Sequence, residues 1–367
     1  MSERMSSQDR IKELEEELSN TKYNKKTQFH IGLVKAKLAK IKEDAERKAS
    51  AVKKGEGYHV KKTGDATVVL LGFPSVGKST ILNKLTNAQS AVAAYDFTTL
   101  DVIPGLLQYN HAKIQILDVP GIVSGAATGR GRGREVLSVL RNADLALIII
   151  DATKPGQFDA IMEEVFQAGL RLNKDKPDVR ISKKPRGGLR IGQTVPLDID
   201  KKTIEGILRE LGINNADVLI RTPIHEDDLI DVVMGNRSYI PSLVVINKID
   251  LVDEKEKERI KLKIKPDLMI SAQQDPDFER VKKGVFEKLR LMRIYLKEVG
   301  KRADMDEPMI VHRSTTLLDL CNKIHKDFTK KFRFAKIWGP GAKFPGQEFR
   351  KLEKNLQDGD IVEIHIR

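Results

Sequence analysis

A chain of 367 residues, 40% apolar and 32% charged, has the length and composition of a soluble globular protein with two or three domains. Its apolar runs are all too short to span a bilayer, its start is charged rather than signal-like, and its single cysteine excludes an internal disulfide, so a cytoplasmic location and no membrane partner are expected. A formal net charge of +13 points toward a polyanionic partner.

Residues 7–50 read as helix, with one apolar stripe from Ile11, Leu14 and Leu18 and a second from Ile31, Val34, Leu38 and Ile41. The break at residues 19–26 predicts a helical hairpin rather than one rod. Residues 1–62 carry 16 Lys/Arg against 10 Asp/Glu, and residues 53–64, with Gly55 and Gly57, read as a linker. A basic hairpin with its linker is therefore expected over 1–63.

The β-branched run from Thr67 leads into Gly72-Phe-Pro-Ser-Val-Gly-Lys78-Ser79, and Ser79-Thr-Ile-Leu-Asn-Lys-Leu85 follows. Strand, glycine-rich loop and helix in that order make a phosphate-binding loop, whose converging backbone N–H groups and helix N-terminus attract an anion. Phe73, Pro74, Ser75, Val76, Gly77, Lys78, Ser79 and Thr80 are the expected nucleotide contacts. Lys78 would bridge the β- and γ-phosphates, and the Ser79 hydroxyl would ligate Mg²⁺. Further on, Thr98 and Thr99 follow Ala91-Val-Ala-Ala-Tyr-Asp-Phe97. One of these hydroxyls would close on the metal when a γ-phosphate is present, and Thr99 is favoured, although a Thr-Thr pair alone is a weak signature.

Asp118 ends the strand-like run from Lys113, which places its carboxylate at the carboxyl edge of a parallel sheet, where it would hold the metal through water. Gly121 would let its N–H approach the γ-phosphate. Lys78, Thr99 and Gly121 are accordingly the catalytic candidates, and Ser79, Thr99 and Asp118 the metal candidates. Ile122 stands where a water-orienting glutamine is expected. An aliphatic side chain cannot align water, so slow intrinsic hydrolysis is predicted, with a rearranged loop, an added cation or a partner supplying the function. Arg130, Arg132 and Arg134 in the adjacent Gly-rich stretch are equally readable as cis assistance, as RNA contacts or as solvated charge.

Leu145–Asp151 reads as a buried strand, and Asn247 comes 129 positions after Asp118, too far for a compact nucleotide domain. An inserted α+β lobe is expected at about 168–239, with helix over 201–211 and strand over 216–221. Residues 171–190 carry 8 Lys/Arg against 2 Asp/Glu around Lys183-Lys-Pro-Arg-Gly-Gly-Leu-Arg190. A solvated face is the bland reading of such a run, and RNA phosphate is favoured because two separate segments share the bias.

Asn247-Lys-Ile-Asp250 follows the buried-strand pattern Ser242-Leu-Val-Val-Ile246. The Asp250 carboxylate can accept from the N1–H and exocyclic amine of guanine, whereas adenine offers an acceptor at the first position. Lys248 would cover a face of the base, Asn247 would tie neighbouring loops, and Ser271-Ala272 would complete the pocket. The fold class is thus α/β, a mostly parallel sheet with helices on both faces over 64–290. Beyond it, residues 291–367 read as a compact ubiquitin-like docking module, with a strand from Pro308, a helix from Ser314 to Phe328, a strand at 333–338, and a turn at Asp358-Gly359 into the last strand. Cys321 falls on the helical core stripe.

The whole chain resembles the developmentally regulated GTP-binding (DRG) proteins of the Obg-like GTPases. The carrying residues are Gly72-Phe-Pro-Ser-Val-Gly-Lys-Ser-Thr80, Ala93-Ala-Tyr-Asp-Phe-Thr-Thr-Leu100, Asp118-Val-Pro-Gly-Ile122, Gly129-Arg-Gly-Arg-Gly-Arg-Glu135 and Asp231-Val-Val-Met-Gly-Asn-Arg-Ser-Tyr-Ile-Pro241. The resemblance implies a cytosolic GTP-hydrolysing switch that acts with the ribosome and rRNA in translation. It also implies an insertion similar to ribosomal-protein S5 domain 2, and a C-terminal TGS domain available to a protein partner; no DNA partner is expected. The glycine-rich N-terminal domain of Obg proteins is absent, while the guanine-specifying aspartate that YchF-like relatives lose is kept as Asp250. Related potassium-assisted GTPases often have asparagine at the position of Ser75, which leaves K⁺ an open question beside Mg²⁺. Ile122 keeps alive a different class, an RNA-binding scaffold that uses GTP as a structural ligand.

Overall fold

The computed structural model describes residues 7–51, 64–86, 103–118, 139–140, 142–275 and 278–366. In chain order they form helices α1 (Ser7–Asn20) and α2 (Gln28–Ala51), strand β1 (Ala66–Leu71), helix α3 (Lys78–Thr86), strands β2 (Ile103–Tyr109), β3 (Ala112–Asp118) and β4 (Leu145–Asp151), helix α4 (Gln157–Gln167) and strand β5 (Leu170–Leu172). Strands β6 (Val179–Lys183) and β7 (Leu189–Gln193), helix α5 (Lys201–Glu210), strand β8 (Ala216–Ile220), helix α6 (Glu226–Met234) and strand β9 (Ser238–Ile240) come next. Strand β10 (Ser242–Asn247), helix α7 (Glu254–Ile264), strand β11 (Leu268–Met269) and helix α8 (Glu279–Lys288) lead to the C-terminal part: β12 (Leu291–Leu296), β13 (Met309–His312), α9 (Leu317–Ile324), α10 (Lys326–Lys331), β14 (Phe332–Trp338), β15 (Gln347–Phe349) and β16 (Asp360–Ile366). These elements divide into two compact units, Met1–Gly57 with Lys174–Tyr239, and Tyr58–Asn173 with Ile240–Arg367.

In the second unit, six strands run in the order β11-β10-β4-β1-β3-β2, all parallel except β2, which pairs antiparallel at the edge. Every residue of β1 and β4 is buried, as continuous apolar runs must be when helices cover both faces of a parallel sheet. Alternation along the strands sorts the side chains. Val68, Leu70, Leu145 and Leu147 pack with Ile81 and Leu85 of α3 and Val281 and Val285 of α8. Val69, Leu71, Ala146 and Ile148 pack on the opposite face with Ile161 and Val165 of α4 and Ile260 and Ile264 of α7.

The C-terminal sheet of the same unit has the order β13-β12-β16-β14-β15, with β12 and β16 parallel and the other pairs antiparallel. Helix α9 closes one face, Leu317 and Leu320 packing on Met292, Ile294, Ala335, Ile337 and Val362. A capping box starts this helix: Thr316 Oγ1 accepts from the Asp319 N–H at 3.3 Å, and Asp319 Oδ2 accepts from the Thr316 N–H at 2.9 Å. Cys321 is wholly buried, and burial raises its thiol pKa, as suits a core residue. The single helix expected over 314–328 is broken at His325, whose backbone is extended at φ −166°, ψ 141°. Its Nδ1 accepts from the Asp327 N–H at 3.2 Å, so His325 caps α10 instead of continuing α9.

In the first unit, Asn24 Oδ1 accepts from the N–H groups of Lys26 at 2.9 Å and Thr27 at 3.0 Å, turning the chain between α1 and α2. Lys42 reaches Glu15 across the resulting hairpin at 2.9 Å. Strands β6-β8-β7 form a three-stranded sheet whose Ala216, Val218 and Ile220 pack with Ile204, Ile207 and Leu208 of α5 and Leu229 and Ile230 of α6. Ala36 of α2 belongs to the same cluster, so hairpin and lobe share one core.

Asp358, in the turn before β16, accepts from the Arg293 backbone N–H at 2.7 Å and from its Nε at 3.2 Å and Nη2 at 2.8 Å. These hydrogen bonds hold its carboxyl below the ordinary range, against the opposing effect of burial. A carboxyl depressed in the folded state contributes stability above its unfolded pKa, near 4, and loses it as pH falls through the lower folded value. Because the two side chains are 31% and 38% exposed, the loss in Asp358→Asn is expected to be about 1 kcal/mol at neutral pH. Urea unfolding followed from pH 7 to pH 2 should show this deficit shrinking to nothing at the acid end.

Candidate functional site

Parallel pairing brings the carboxyl ends of β1, β3, β4 and β10 to one edge of the sheet, with Leu70 in register with Asp118 and Asn247 with Asp151. Ligands of open α/β sheets bind at this edge. A cavity of about 480 Å³ lies there, and Ser75, Gly77, Lys78, Ser79, Thr80, Asn247, Lys248, Asp250, Ser271 and Ala272 line it, together with Leu251 and Gln273, which the sequence reading left out. Phe73, Pro74 and Val76 share the loop without lining the cavity: Phe73 packs on both faces of the core, Pro74 is exposed, and Val76 is buried. Thr98, Thr99, Gly121, Ile122, Arg130, Arg132 and Arg134 lie outside the described residues.

The loop between β1 and α3 is shaped by close approach. A Cβ on Gly72 would lie 2.6 Å from the Ile149 carbonyl oxygen, and one on Gly77, at φ +97°, would collide with the Asn247 amide. Within the loop Ser75 is left-handed at φ +64°, an uncommon conformation for a residue with a side chain. Lys78 Nζ donates to the carbonyls of Gly72 and Phe73, each at 2.9 Å. The ammonium is thereby folded into its own loop, where incoming phosphate oxygens can replace those carbonyls.

Asp118 is 6% exposed, and its Oδ1 has no hydrogen-bond partner among the described residues. Burial raises the Asp118 carboxyl pKa and lowers the Lys78 ammonium pKa, in each case against the attraction between the two charges. Asp118 does not line the cavity, but its charge interacts with Lys78 of the phosphate-binding loop; an orphaned carboxylate oxygen there fits Mg²⁺, which binds through one or two protein oxygens plus phosphates and waters. Among the described residues no cluster of three His, Cys, Asp or Glu forms a closed metal cage, so such a cation would need those external ligands.

Asn247 is 1% exposed and joins three segments: Nδ2 donates to the Val76 carbonyl at 2.8 Å, while Oδ1 accepts from the Ala272 N–H at 2.8 Å. The Ser271-Ala272 segment is fixed in turn by Asp275, whose Oδ2 accepts from the Ser271 N–H at 2.8 Å, and by Lys84 of α3, which donates to the Asp275 carbonyl at 2.9 Å. Lys248 is left-handed at φ +62°, and its Nζ donates to the Ser75 carbonyl and to Asp151 Oδ2, each at 2.7 Å. Asp151 Oδ1 accepts from the Thr153 N–H at 2.9 Å and from its hydroxyl at 2.7 Å. Burial alone would raise the Asp151 carboxyl, but the Lys248 and Thr153 hydrogen bonds outweigh it and hold the pKa below the usual range. Asp250, by contrast, is exposed, lines the cavity, and has no ion-pair partner among the described residues. Its carboxylate is available to a ligand. Lys84, Asp151 and Asp275 went unnoticed in the sequence; only Asp151, at the carboxyl end of a buried strand, carried a positional signal.

Comparison with known proteins agrees with this geometry. Family models described as 50S ribosome-binding GTPase, C-terminal region of that GTPase domain, and TGS domain match residues 67–184, 186–291 and 292–366. The chain is 50% identical to an uncharacterized GTP-binding protein of Methanocaldococcus jannaschii, over 99% of this chain and 94% of the relative. It is 42% identical to developmentally-regulated GTP-binding protein 1 of Xenopus laevis, over 97% and 98% of the two chains, and 41% identical to developmentally-regulated GTP-binding protein 2 of Mus musculus over the same shares.

Replacing Asn247 by Ala leaves the Val76 carbonyl and the Ala272 N–H without their partner in a buried place, at about 1–3 kcal/mol each. Asn247→Ala should therefore lower unfolding free energy by about 2–6 kcal/mol in denaturant titration. Asp250→Ala, at an exposed carboxylate, should leave it within about 0.5 kcal/mol of the parent.

Proposed function

The chain belongs to the developmentally regulated GTP-binding proteins, and from that premise we propose that it is a Mg²⁺-dependent, GTP-hydrolysing switch that works with the ribosome in translation. The observation that carries the reading is Asp250, a carboxylate without an ion-pair partner among the described residues, at a cavity whose loops are tied together by Asn247. Two acceptor oxygens at that point match the two adjacent donors of guanine, and reject adenine by facing its ring acceptor with a charge.

On this reading Lys78 leaves the Gly72 and Phe73 carbonyls for the β- and γ-phosphates, and the backbone of the glycine loop follows the phosphate chain. Ser79 and Asp118 hold the magnesium, which when bound neutralises charge building up on the phosphates. Thr99 and Gly121 are assigned to sensing the γ-phosphate, which makes the segments around them the parts that differ between GTP and GDP states. Ile122 offers no hydrogen bond to an attacking water, so turnover is slow until a partner, a cation such as K⁺, or a loop rearrangement supplies the alignment. An arginine donated by a partner contributes about 10³ to 10⁵ in rate to GTPases that use one.

The ribosomal part of the reading draws on the description of the matching family model and on charge. Lys176, Arg180, Lys183, Arg186 and Arg190 are all exposed, and none has an ion-pair partner among the described residues. The lobe at about 168–239 and the hairpin over 1–63 would meet rRNA, and residues 291–367 would dock a protein partner, all in the cytoplasm. Ile122 also favours a second reading, a ribosome-bound scaffold that holds GTP without appreciable turnover.

GTP hydrolysis by the purified protein, with and without ribosomes and in potassium or sodium buffer, separates the two, with Lys78→Ala as the blank. Stimulation by ribosomes is the expected result; tight GTP binding with a blank-like rate in every condition would establish the scaffold. Asp250→Asn should weaken GTP binding by about 10²-fold or more, because its amide faces guanine donors with a donor. The same variant should gain affinity for xanthosine triphosphate, whose C2 carbonyl accepts from that amide, in competition titrations.

A further inference from the structure

The guanine-recognition segment and the phosphate loop each hold one non-glycine residue in the left-handed region, Lys248 at φ +62° and Ser75 at φ +64°. Such conformations cost free energy unless neighbouring contacts fix them. Here the two strained residues are fastened to each other, the Lys248 ammonium donating to the Ser75 carbonyl at 2.7 Å. The same ammonium donates at 2.7 Å to Asp151 Oδ2, on the strand next to β10. Asp151 is itself held, since Thr153 occupies its other oxygen through both N–H and hydroxyl at 2.9 Å and 2.7 Å. With its side chain only 9% exposed against 32% for Lys248, it is the rigid end of the pair.

We propose that Asp151 is the positioning residue of the nucleotide site: it anchors Lys248, and through Lys248 sets the Ser75 carbonyl and the curvature of the phosphate loop. The inference rests on reading this cavity as a guanine-nucleotide site. Asp151 touches neither base nor phosphate in this account. It acts by keeping the lysine stem laid along the base position while the ammonium clamps the loop on the far side. Neither end can move without the other, so loss of the anchor loosens base and phosphate ends together. Guanine selection, which belongs to Asp250, is untouched.

Dissociation of fluorescent GDP from the full-length protein provides the test, with wild type, Asp151→Ala, Asp151→Asn, Lys248→Ala and the Asp151→Ala/Lys248→Ala double variant. Asp151→Ala is expected to release GDP about 10- to 100-fold faster, as loss of a charged hydrogen bond implies. Asp151→Asn, whose one amide oxygen can still accept from Lys248 while its NH2 turns toward Thr153, should fall between it and wild type. If Asp151 acts through Lys248, the double variant will be no faster than the faster single variant within about twofold, and the ratio of GDP to ADP affinity will stay at the wild-type value. A release rate for Asp151→Ala within twofold of wild type, multiplying effects in the double variant, or collapse of the GDP to ADP ratio would each overturn the assignment. Absence of GDP binding by the wild-type protein would instead overturn the nucleotide reading, and the inference with it.

Discussion

Everything at the cavity depends on one buried amide. Asn247 stands at the end of β10, and with one side chain it hydrogen-bonds the phosphate loop at Val76 and the base-side segment at Ala272. The tight fit of Gly77 against that amide explains why the loop can tolerate nothing larger there. A sheet edge alone offers only a row of strand ends; the amide turns three of those ends into a single preformed concavity. Lys78, Ser79 and Asp250 line that concavity, and the unpartnered Asp118 Oδ1 is another polar group that the described residues leave unused.

That arrangement is costly to the empty protein. A buried carboxylate with an unpartnered oxygen, a partly buried ammonium, and two left-handed side-chain-bearing residues are all unfavourable in isolation. The Asp118 carboxyl is raised and the Lys78 ammonium lowered, so near neutral pH each ionised group detracts from stability. On the proposed reading a magnesium nucleotide would relieve both at once, which would couple ligand binding to the stability of the fold. Preorganisation of this kind is what a phosphoryl-transfer site requires, because its catalysis is mostly positioning and charge stabilisation.

The sequence made the two segments that meet at the cavity legible because phosphate and base chemistry demand particular residues at contiguous spacing, each next to a buried, apolar-rich strand. The all-buried β1 and β4 likewise announced a parallel sheet covered on both faces. What stayed hidden acts between segments. Asp151 reaches Lys248 97 residues away, and Lys84 reaches the Asp275 carbonyl 191 residues away; beyond the strand-end position of Asp151, nothing local marks these contacts. Ala36 gives no sign in sequence that the hairpin and the inserted lobe share a core, because a small residue on a basic helix can face anywhere. The break at His325 was masked by flanking sequence with good helical character.

The central claim is that the loops gathered by Asn247 form a site selective for guanine nucleotides. Calorimetric titration of the wild-type protein with GDP and with ADP, in the presence of Mg²⁺, tests it most directly. The account predicts one GDP per chain, with ADP bound about 10³-fold more weakly or not at all, since adenine leaves the Asp250 carboxylate unpaired. Comparable affinities for the two nucleotides, or no binding of either, would contradict it.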